Sequence, residues 1–316
     1  MAKIPVIILT GFLGSGKTTL LAQILECHRD KSIAVVVNER GQMGLDAQIL
    51  THLCFIQENV RLLQGGCVCC AYRQDLIDCL KELIDQDRIS HVILETTGIA
   101  NPAPILFSLL NDVFLSQHFF PQSVITCLDA VHGFLHLKEN IEAQNQITAS
   151  DVVVVTKTDL QNDFEKLRAC IQSTNPTATI HDKARMDLSA LLQQGTFVKK
   201  DIVFTSAHQN FRTLCMEFEE LLDWSAFTLW LSFLLYKHGN AILRTKGILR
   251  TNSGQCIALN GVQHIIYPPT HLGKTQEKAS QLVFILKDLD PQRIYFSFKT
   301  LLKALGIEFN PRMQLT

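Results

Sequence analysis

The sequence has little net charge, no long apolar run and no repeats, and each absence argues against a class of protein. Its 316 residues contain 29 Lys and Arg against 30 Asp and Glu, which leaves a formal charge of −1. This balance argues against a broad electrostatic surface for nucleic acid or an anionic membrane. No apolar run approaches the roughly 20 residues that span a bilayer, and no repeat or low-complexity tract is present. We therefore expect local recognition, with no nucleic-acid partner and no membrane partner.

We expect no cleavable signal, because the chain runs from Lys3 straight into a strand-like segment. This predicts a cytoplasmic protein whose ten cysteines stay reduced. Most of them stand alone among mixed residues, where a cysteine usually acts as a small core hydrophobe. These predicted packing residues are Cys27, Cys54, Cys79, Cys127, Cys170, Cys215 and Cys256.

Residues 11–18, GFLGSGKT, match the phosphate-binding P-loop pattern at every specified position. They follow an apolar, β-prone run and precede a segment with helical spacing, so the glycines fall at a strand-to-helix turn. Backbone N–H groups there can wrap phosphates, and the side chains of Lys17 and Thr18 can reach the terminal phosphates and Mg²⁺. A chance Gly/Ser turn is the alternative. The predicted nucleotide-binding residues are Gly11, Gly14, Ser15, Gly16, Lys17, Thr18 and Thr19.

Alternating strand-like and helix-like segments predict an α/β P-loop NTPase domain over residues 1–200, with a mostly parallel sheet covered by helices. After residue 201 the order changes to strand, helix, three strands and helix, which predicts a small α+β domain over residues 201–316 with a mostly antiparallel sheet. The predicted strands are 6–9, 33–37, 92–94, 124–128, 152–155, 211–218, 242–250, 257–266 and 282–286; the predicted C-terminal helices are 225–237 and one starting at Asp290.

A P-loop protein needs a carboxylate at the end of a neighbouring strand to hold the Mg²⁺ hydration shell, and Glu95 follows such a strand. Glu95 and Lys17 are thus the predicted catalytic residues, with Thr18 and Glu95 as magnesium residues. Capping of the next segment is the alternative role for Glu95. The turn at 96–98 could sense the terminal phosphate. The polar, glycine-rich residues 38–46 are typical of a switch loop and include Asp46, a further candidate magnesium ligand.

Residues 156–159, TKTD, follow a predicted strand and resemble the guanine-reading motif of GTPases. The carboxylate of Asp159 can accept both the ring N–H and the exocyclic amine of guanine, a pair of donors that adenine lacks. The stem of Lys157 can cover the base, and Thr156, in place of the usual asparagine, can hydrogen-bond locally. This favours GTP over ATP. Residues 179–183 are predicted to form the last guanine-contact loop.

Three clustered thiols, Cys67, Cys69 and Cys70, lie between the predicted switch and Glu95. Thiolates are soft ligands that favour Zn²⁺ or Cu⁺ over Mg²⁺, so the chain is predicted to bind two metals of different chemistry. Three sulfurs leave a fourth position for a carboxylate, a histidine, water or a partner, and Glu39 is a candidate zinc ligand. A redox-active or inert cysteine cluster is the alternative.

Together these motifs resemble the CobW family of P-loop GTPases, in the group of nickel-insertion GTPases of urease and hydrogenase. The resemblance rests on the order and spacing of the motifs, and it extends into the second domain, so it covers nearly the whole chain. The segments that carry it are 11–19, 38–41, 66–70, 95–104, 156–159, 243–249 and 261–264.

The resemblance implies a cytosolic metallochaperone with slow GTP hydrolysis, whose thiolates hold metal, commonly zinc, and deliver it to a client metalloprotein under nucleotide control. Co²⁺ or Ni²⁺ in place of zinc, and a homodimer, stay open. Arg40 and Gly65 depart from the family pattern, and the histidine-rich stretch of many relatives is absent. A metal-responsive GTP switch that recruits a partner without delivering metal is one alternative, and a P-loop kinase is another.

Overall fold

The computed structural model describes residues 2–39, 60–64, 73–84, 89–161, 163–192, 211–273, 279–307 and 311–315. Its contacts separate two compact units. One holds Met1–Cys170 and Ala178–Lys199, and the other holds Ile171–Thr177 and Lys200–Thr316. The predicted boundary between residues 200 and 201 falls outside the described residues and stays a prediction.

The first unit is built on a parallel sheet. Its strands are β1 (Ile4–Thr10), β2 (Ile33–Glu39), β3 (Val60–Gln64), β4 (His91–Glu95), β5 (Phe119–Asp129), β6 (Val152–Thr156) and β7 (Thr179–Asp182). Among the described residues they are ordered β3-β2-β4-β1-β5-β6-β7, and every neighbouring pair is parallel. The central strands are rich in Val and Ile and almost fully buried, as expected for a sheet covered on both faces. The predicted α/β fold is confirmed.

Helices connect these strands and place the loops of the site. They are α1 (Lys17–Cys27), α2 (Arg73–Ile84), α3 (Ala103–Asn111), α4 (Val113–His118), α5 (Gly133–Glu139), α6 (Ile141–Ala149) and α7 (Glu165–Thr174), with a 3₁₀ turn at Leu188–Leu192. Because β4, β1, β5 and β6 are parallel neighbours, the segments that follow them meet at one edge of the sheet. In open α/β sheets, that edge is where ligands bind.

The second unit pairs an antiparallel sheet with two helices. Its strands are β8 (Phe211–Phe218), β9 (Ile242–Arg250), β10 (Cys256–Val262), β11 (Ile265–Ile266), β12 (Thr270–Gly273), β13 (Ser280–Lys287) and β14 (Arg312–Leu315); its helices are α8 (Trp224–His238) and α9 (Pro291–Ala304). The helices share a core with the sheet, in which the rings of Trp230 and Phe298 lie 4.6 Å apart. Asp290 caps α9, as predicted. The single strand predicted over 257–266 is wrong, because the chain turns at Gln263, whose φ is 54°, and folds back as β11.

No helix in the described ranges is long and apolar enough to cross a membrane. The cytoplasmic location stays a prediction. Among the predicted packing cysteines, Cys127, Cys170, Cys215 and Cys256 are buried, and burial raises the pKa of Cys127 to about 12. The prediction is wrong for Cys27, which is exposed at the end of α1. Cys54 lies outside the described residues.

Candidate functional site

The P-loop forms the turn between β1 and α1, as predicted. The φ angles of Gly11 and Gly16 are 144° and 84°, in the region that favours glycine. A Cβ atom at Gly11 would lie only 2.3 Å from the carbonyl oxygen of Cys127, so no larger residue fits there. α1 then begins at Lys17, so the N–H groups of its first turn lie at the end of the loop. This N-terminus has the geometry and the dipole to bind phosphate.

The side chain of Lys17 folds back over the loop. Its Nζ donates to the carbonyl oxygens of Gly11, at 2.9 Å, and Phe12, at 3.2 Å. The ammonium group is therefore held over the loop, where it can pair with a phosphate oxygen.

Thr18 and Glu95, the two predicted magnesium residues, are brought into contact although they are 77 residues apart. Thr18 Oγ1 donates to Glu95 Oε1 over 2.8 Å. Glu95 ends β4 and is 4% exposed. A hydroxyl and a carboxylate are the hard oxygen ligands that Mg²⁺ takes in proteins, so the pair fits that ion.

The loop after β4 forms the next wall of the pocket. The N–H of Thr96 donates to Leu9 O at 2.9 Å, and its hydroxyl donates to that of Thr10 at 2.8 Å. These bonds tie the start of the loop to β1. A pocket of about 690 Å³ opens between this loop and the P-loop, and it is lined by Leu13, Gly14, Gly16, Lys17, Thr18, Thr19, Val37, Glu95, Thr96, Thr97, Gly98, Ile99 and Lys157.

The TKTD segment follows β6, as predicted, and joins this pocket to a second one. Thr156 Oγ1 donates to the carbonyl oxygen of Ser15 at 2.7 Å, so Thr156 contacts the P-loop backbone. The second pocket, of about 460 Å³, is lined by Gln23, Glu26, Cys27, Lys157, Thr158, Asp159, Lys183, Ala184 and Leu188. Asp159 thus stands at a cavity next to the phosphate pocket, where a base would lie.

The loop predicted over 179–183 is corrected by the structure. Residues 179–182 form β7, which pairs with β6. Only Lys183, just beyond the strand, lines the second pocket.

Of two carboxylates that support the loop after β6, Asp129 was not predicted and Asp182 was predicted only as part of the loop over 179–183. Asp129, at the end of β5, is 4% exposed, and its Oδ2 accepts from Lys157 Nζ at 2.7 Å. Burial alone would raise the pKa of Asp129, but hydrogen bonds from Lys157 and the Val131 N–H outweigh it and lower the pKa. Asp182 accepts from the Thr158 hydroxyl at 2.7 Å. Asp129 follows a predicted strand just as Glu95 does, so the same signal could have found it.

The predicted transition-metal residues are not described in the same detail. Cys67, Cys69 and Cys70 lie outside the described residues, and so does Asp46, the further candidate magnesium ligand. Glu39 ends β2, but its side chain is not described. Within the described ranges, no group of three His, Cys, Asp or Glu residues could hold a metal ion.

Two sequence models match the chain. The nucleotide-binding domain of the CobW/HypB/UreG family matches residues 5–182, and the cobalamin synthesis protein cobW C-terminal domain matches residues 211–302. The chain is 29% identical to the zinc chaperone YjiA of Escherichia coli, over 96% of this chain and 100% of that protein. It is 26% identical to zinc-regulated GTPase metalloprotein activator 1 of Schizosaccharomyces pombe, over 92% of this chain and 81% of that protein. The crystal structure of Zn(II)-bound YjiA GTPase from E. coli shares 25% identity, covers 95% of this chain and 99% of that one, and gives a TM-score of 0.73.

The parallel sheet, the glycine loop and the helix that follows it define a P-loop nucleotide-binding protein. The match to the nucleotide-binding domain spans more than half of the sequence, and this identifies the family within the class of P-loop proteins. The chain belongs to the CobW/HypB/UreG family and is a P-loop GTPase that carries the CobW C-terminal domain. The family resemblance and the GTPase assignment drawn from the motifs are confirmed.

Proposed function

We propose that this GTPase is a metallochaperone that binds zinc at Cys67, Cys69 and Cys70 and transfers it to a client metalloprotein under nucleotide control. The register of β2 and β3 carries the proposal. Glu39, the last residue of β2, pairs with Gln64, the last residue of β3. β3 therefore ends at the sheet edge that also carries the phosphate pocket, three residues before Cys67 in the sequence.

The strand order gives the separation between the end of β3 and the phosphate pocket. β2 separates β3 from β4, and Val37 of β2 pairs with Glu95 and lines the phosphate pocket. Neighbouring strands are about 4.8 Å apart, so the end of β3 lies roughly 10 Å from β4. Cys67 follows Gln64 by three residues, and an extended chain covers about 3.3 Å per residue. About three extended residues would span that distance from the end of β3, which supports the proposed coupling between phosphate and metal.

At the nucleotide site, different residues of this chain contact the phosphates, the guanine base and Mg²⁺. Lys17 and the N–H groups at the start of α1 bind the phosphates, while Asp159 and Lys157 bind guanine. Thr18 and Glu95 would hold Mg²⁺, which when bound neutralises charge on the β- and γ-phosphates.

On the metal side, zinc is the cargo. Three thiolates are a soft donor set with one tetrahedral position left for Glu39, water or a client ligand. A site with such an open position can give up its metal. One relative supports the assignment in two ways, since the YjiA protein is named a zinc chaperone and its GTPase structure is Zn(II)-bound. Co²⁺ and Ni²⁺ are competing cargoes to be tested.

A zinc competition titration tests the proposal. Reduced protein is titrated against a chromophoric chelator without nucleotide, with Mg²⁺ and GDP, and with Mg²⁺ and a non-hydrolysable GTP analogue. We expect zinc affinity to differ between the GDP-bound and the GTP-analogue-bound protein, because two coupled sites change each other's affinity by the same factor. Equal affinity in all three states would reject nucleotide control.

Variants then test the ligands. The Cys67, Cys69 and Cys70 triple serine variant should lose tight zinc binding and keep GTP binding. Cys79→Ser is the matched control, because Cys79 lies in α2, outside the cluster. Zinc affinity unchanged in the triple variant would reject the thiol site.

A further inference from the structure

Gln146 is a buried polar residue that the chemistry above leaves unused. It lies in α6 and is 1% exposed. Its Nε2 donates to the carbonyl oxygens of Gly98, at 3.0 Å, and Ala100, at 3.1 Å. Because both partners are carbonyls, the nitrogen of the amide must be the atom that faces them. One side chain therefore holds two points of the loop after β4.

The other side of this loop rests on the P-loop. A Cβ atom at Gly98 would lie 2.7 Å from the nitrogen and 2.8 Å from the Cα of Leu13. The two backbones are thus in direct contact. Thr97 lines the phosphate pocket, and its hydroxyl oxygen is buried without a hydrogen-bond partner among the described residues. The loop is held between α6 and the P-loop, with Thr97 at the pocket.

We propose that Gln146 is a positioning residue for the γ-phosphate of GTP, because its amide fixes Gly98 and Ala100 so that Thr97 and Gly98 meet that phosphate. This inference rests on the proposed assignment of the pocket to GTP. A ligand can respond to the position of the loop only through contacts that it makes with the loop. GDP has no γ-phosphate, so loss of Gln146 weakens binding and hydrolysis of GTP and spares binding of GDP.

Gln146→Leu removes both donors while keeping a side chain of similar size. We expect the affinity for a non-hydrolysable GTP analogue and the kcat for GTP each to fall about tenfold, because part of the effect of losing two buried hydrogen bonds reaches the γ-phosphate, with GDP affinity changed less than about twofold. Gln144→Leu is the matched control. Gln144 lies in the same helix, is 7% exposed, and donates to the carbonyl oxygen of Leu137 at 2.8 Å, away from the loop.

Gln146→Glu supplies a signature that general destabilisation would not. Ionised, its carboxylate has no proton to donate to the Gly98 and Ala100 carbonyls; protonated, it donates one hydrogen bond. The GTP-to-GDP affinity ratio of this variant should therefore recover as the pH falls, whereas the ratio of the Gln146→Leu variant should not. A ratio that changes equally with pH in both variants would count against the role.

The outcomes separate this inference from the function it rests on. A wild-type protein that fails to bind GTP would overturn the proposed site and this role with it. Normal wild-type binding, with the GTP-to-GDP ratio unchanged in Gln146→Leu or lowered equally in Gln144→Leu, would overturn only the role of Gln146. Should the variants fail to fold, hydrogen exchange on the wild type decides. Residues 97–100 must gain protection with the GTP analogue relative to GDP, and equal exchange would reject the proposal.

Discussion

Asp129 lies outside the predicted motifs, yet its replacement with Asn should weaken the binding of guanine nucleotides. The change keeps the shape of the side chain and its Oδ1, which accepts from the Val131 N–H at 2.7 Å. It turns the oxygen that accepts from Lys157 Nζ into an amide nitrogen, a donor facing a donor. Lys157 then loses the bond that holds it between the two pockets.

The size of the effect follows from the exposure of the pair. A charge-assisted hydrogen bond contributes about 1.5–3 kcal/mol. The Lys157 side chain is 37% exposed, so solvent screening reduces the figure to about 1–2 kcal/mol. This corresponds to a loss of roughly 5- to 30-fold in affinity. Because the pKa of Asp129 is lowered, the contribution is complete at neutral pH and is lost only as the pH falls through the lowered value.

Titration of fluorescent GDP and GTP analogues measures the loss, which should be equal for both because Lys157 is proposed to bind the guanine base that the two nucleotides share. Urea unfolding shows that the variant is folded. Asp112→Asn is the control, since Asp112 caps α4 and asparagine is also a good cap. A folded Asp129→Asn protein that binds nucleotide within about twofold of wild type would refute the reasoning, given the magnitude above.

Three other predictions concern Glu95, Asp159 in the second pocket, and His91 at the start of β4. Glu95→Gln should raise the Mg²⁺ concentration needed for GTP hydrolysis about tenfold, since it removes a charged ligand; an unchanged Mg²⁺ titration contradicts it. Asp159→Ala should abolish the preference for GTP over ATP in competition binding. An intact preference would argue against the second pocket as the site of the guanine base. Burial and the nearby Lys31 lower the pKa of His91, so the unfolded chain binds the proton more readily, and stability should rise from about pH 5 to pH 7. His91→Gln should flatten that rise in urea melts, and an unchanged slope would exclude His91 as its source.

Local pattern was enough to locate the strand ends that carry the nucleotide chemistry. The P-loop, Glu95 and the TKTD segment each follow an apolar run, and such a run between glycine or polar residues predicts a buried strand without any tertiary information. Two errors came from segments whose pattern is weak. β7 is a short strand, TIHD, that forms through pairing with β6, and the turn at Gln263 interrupts a run that reads as one strand.

The contacts that support the site could not be predicted, because the residues that make them are remote in sequence. Lys157 and Asp129 are 28 residues apart, and Gln146 is 48 residues from Gly98. A glutamine inside a helix carries no local signal of its partner.

The sequence by itself determined the phosphate loop of this GTPase and its candidate residues for magnesium, guanine and a transition metal, since each depends on residue types at short spacing. Tertiary structure alone decided which side chains meet. Parallel pairing brings the ends of β1, β4, β5 and β6 to one edge of the sheet, so that Thr18 meets Glu95, Lys157 meets Asp129 and Gln146 reaches Gly98. Those contacts depend on strand order and register, which pair residues far apart in the chain and leave no trace at short range.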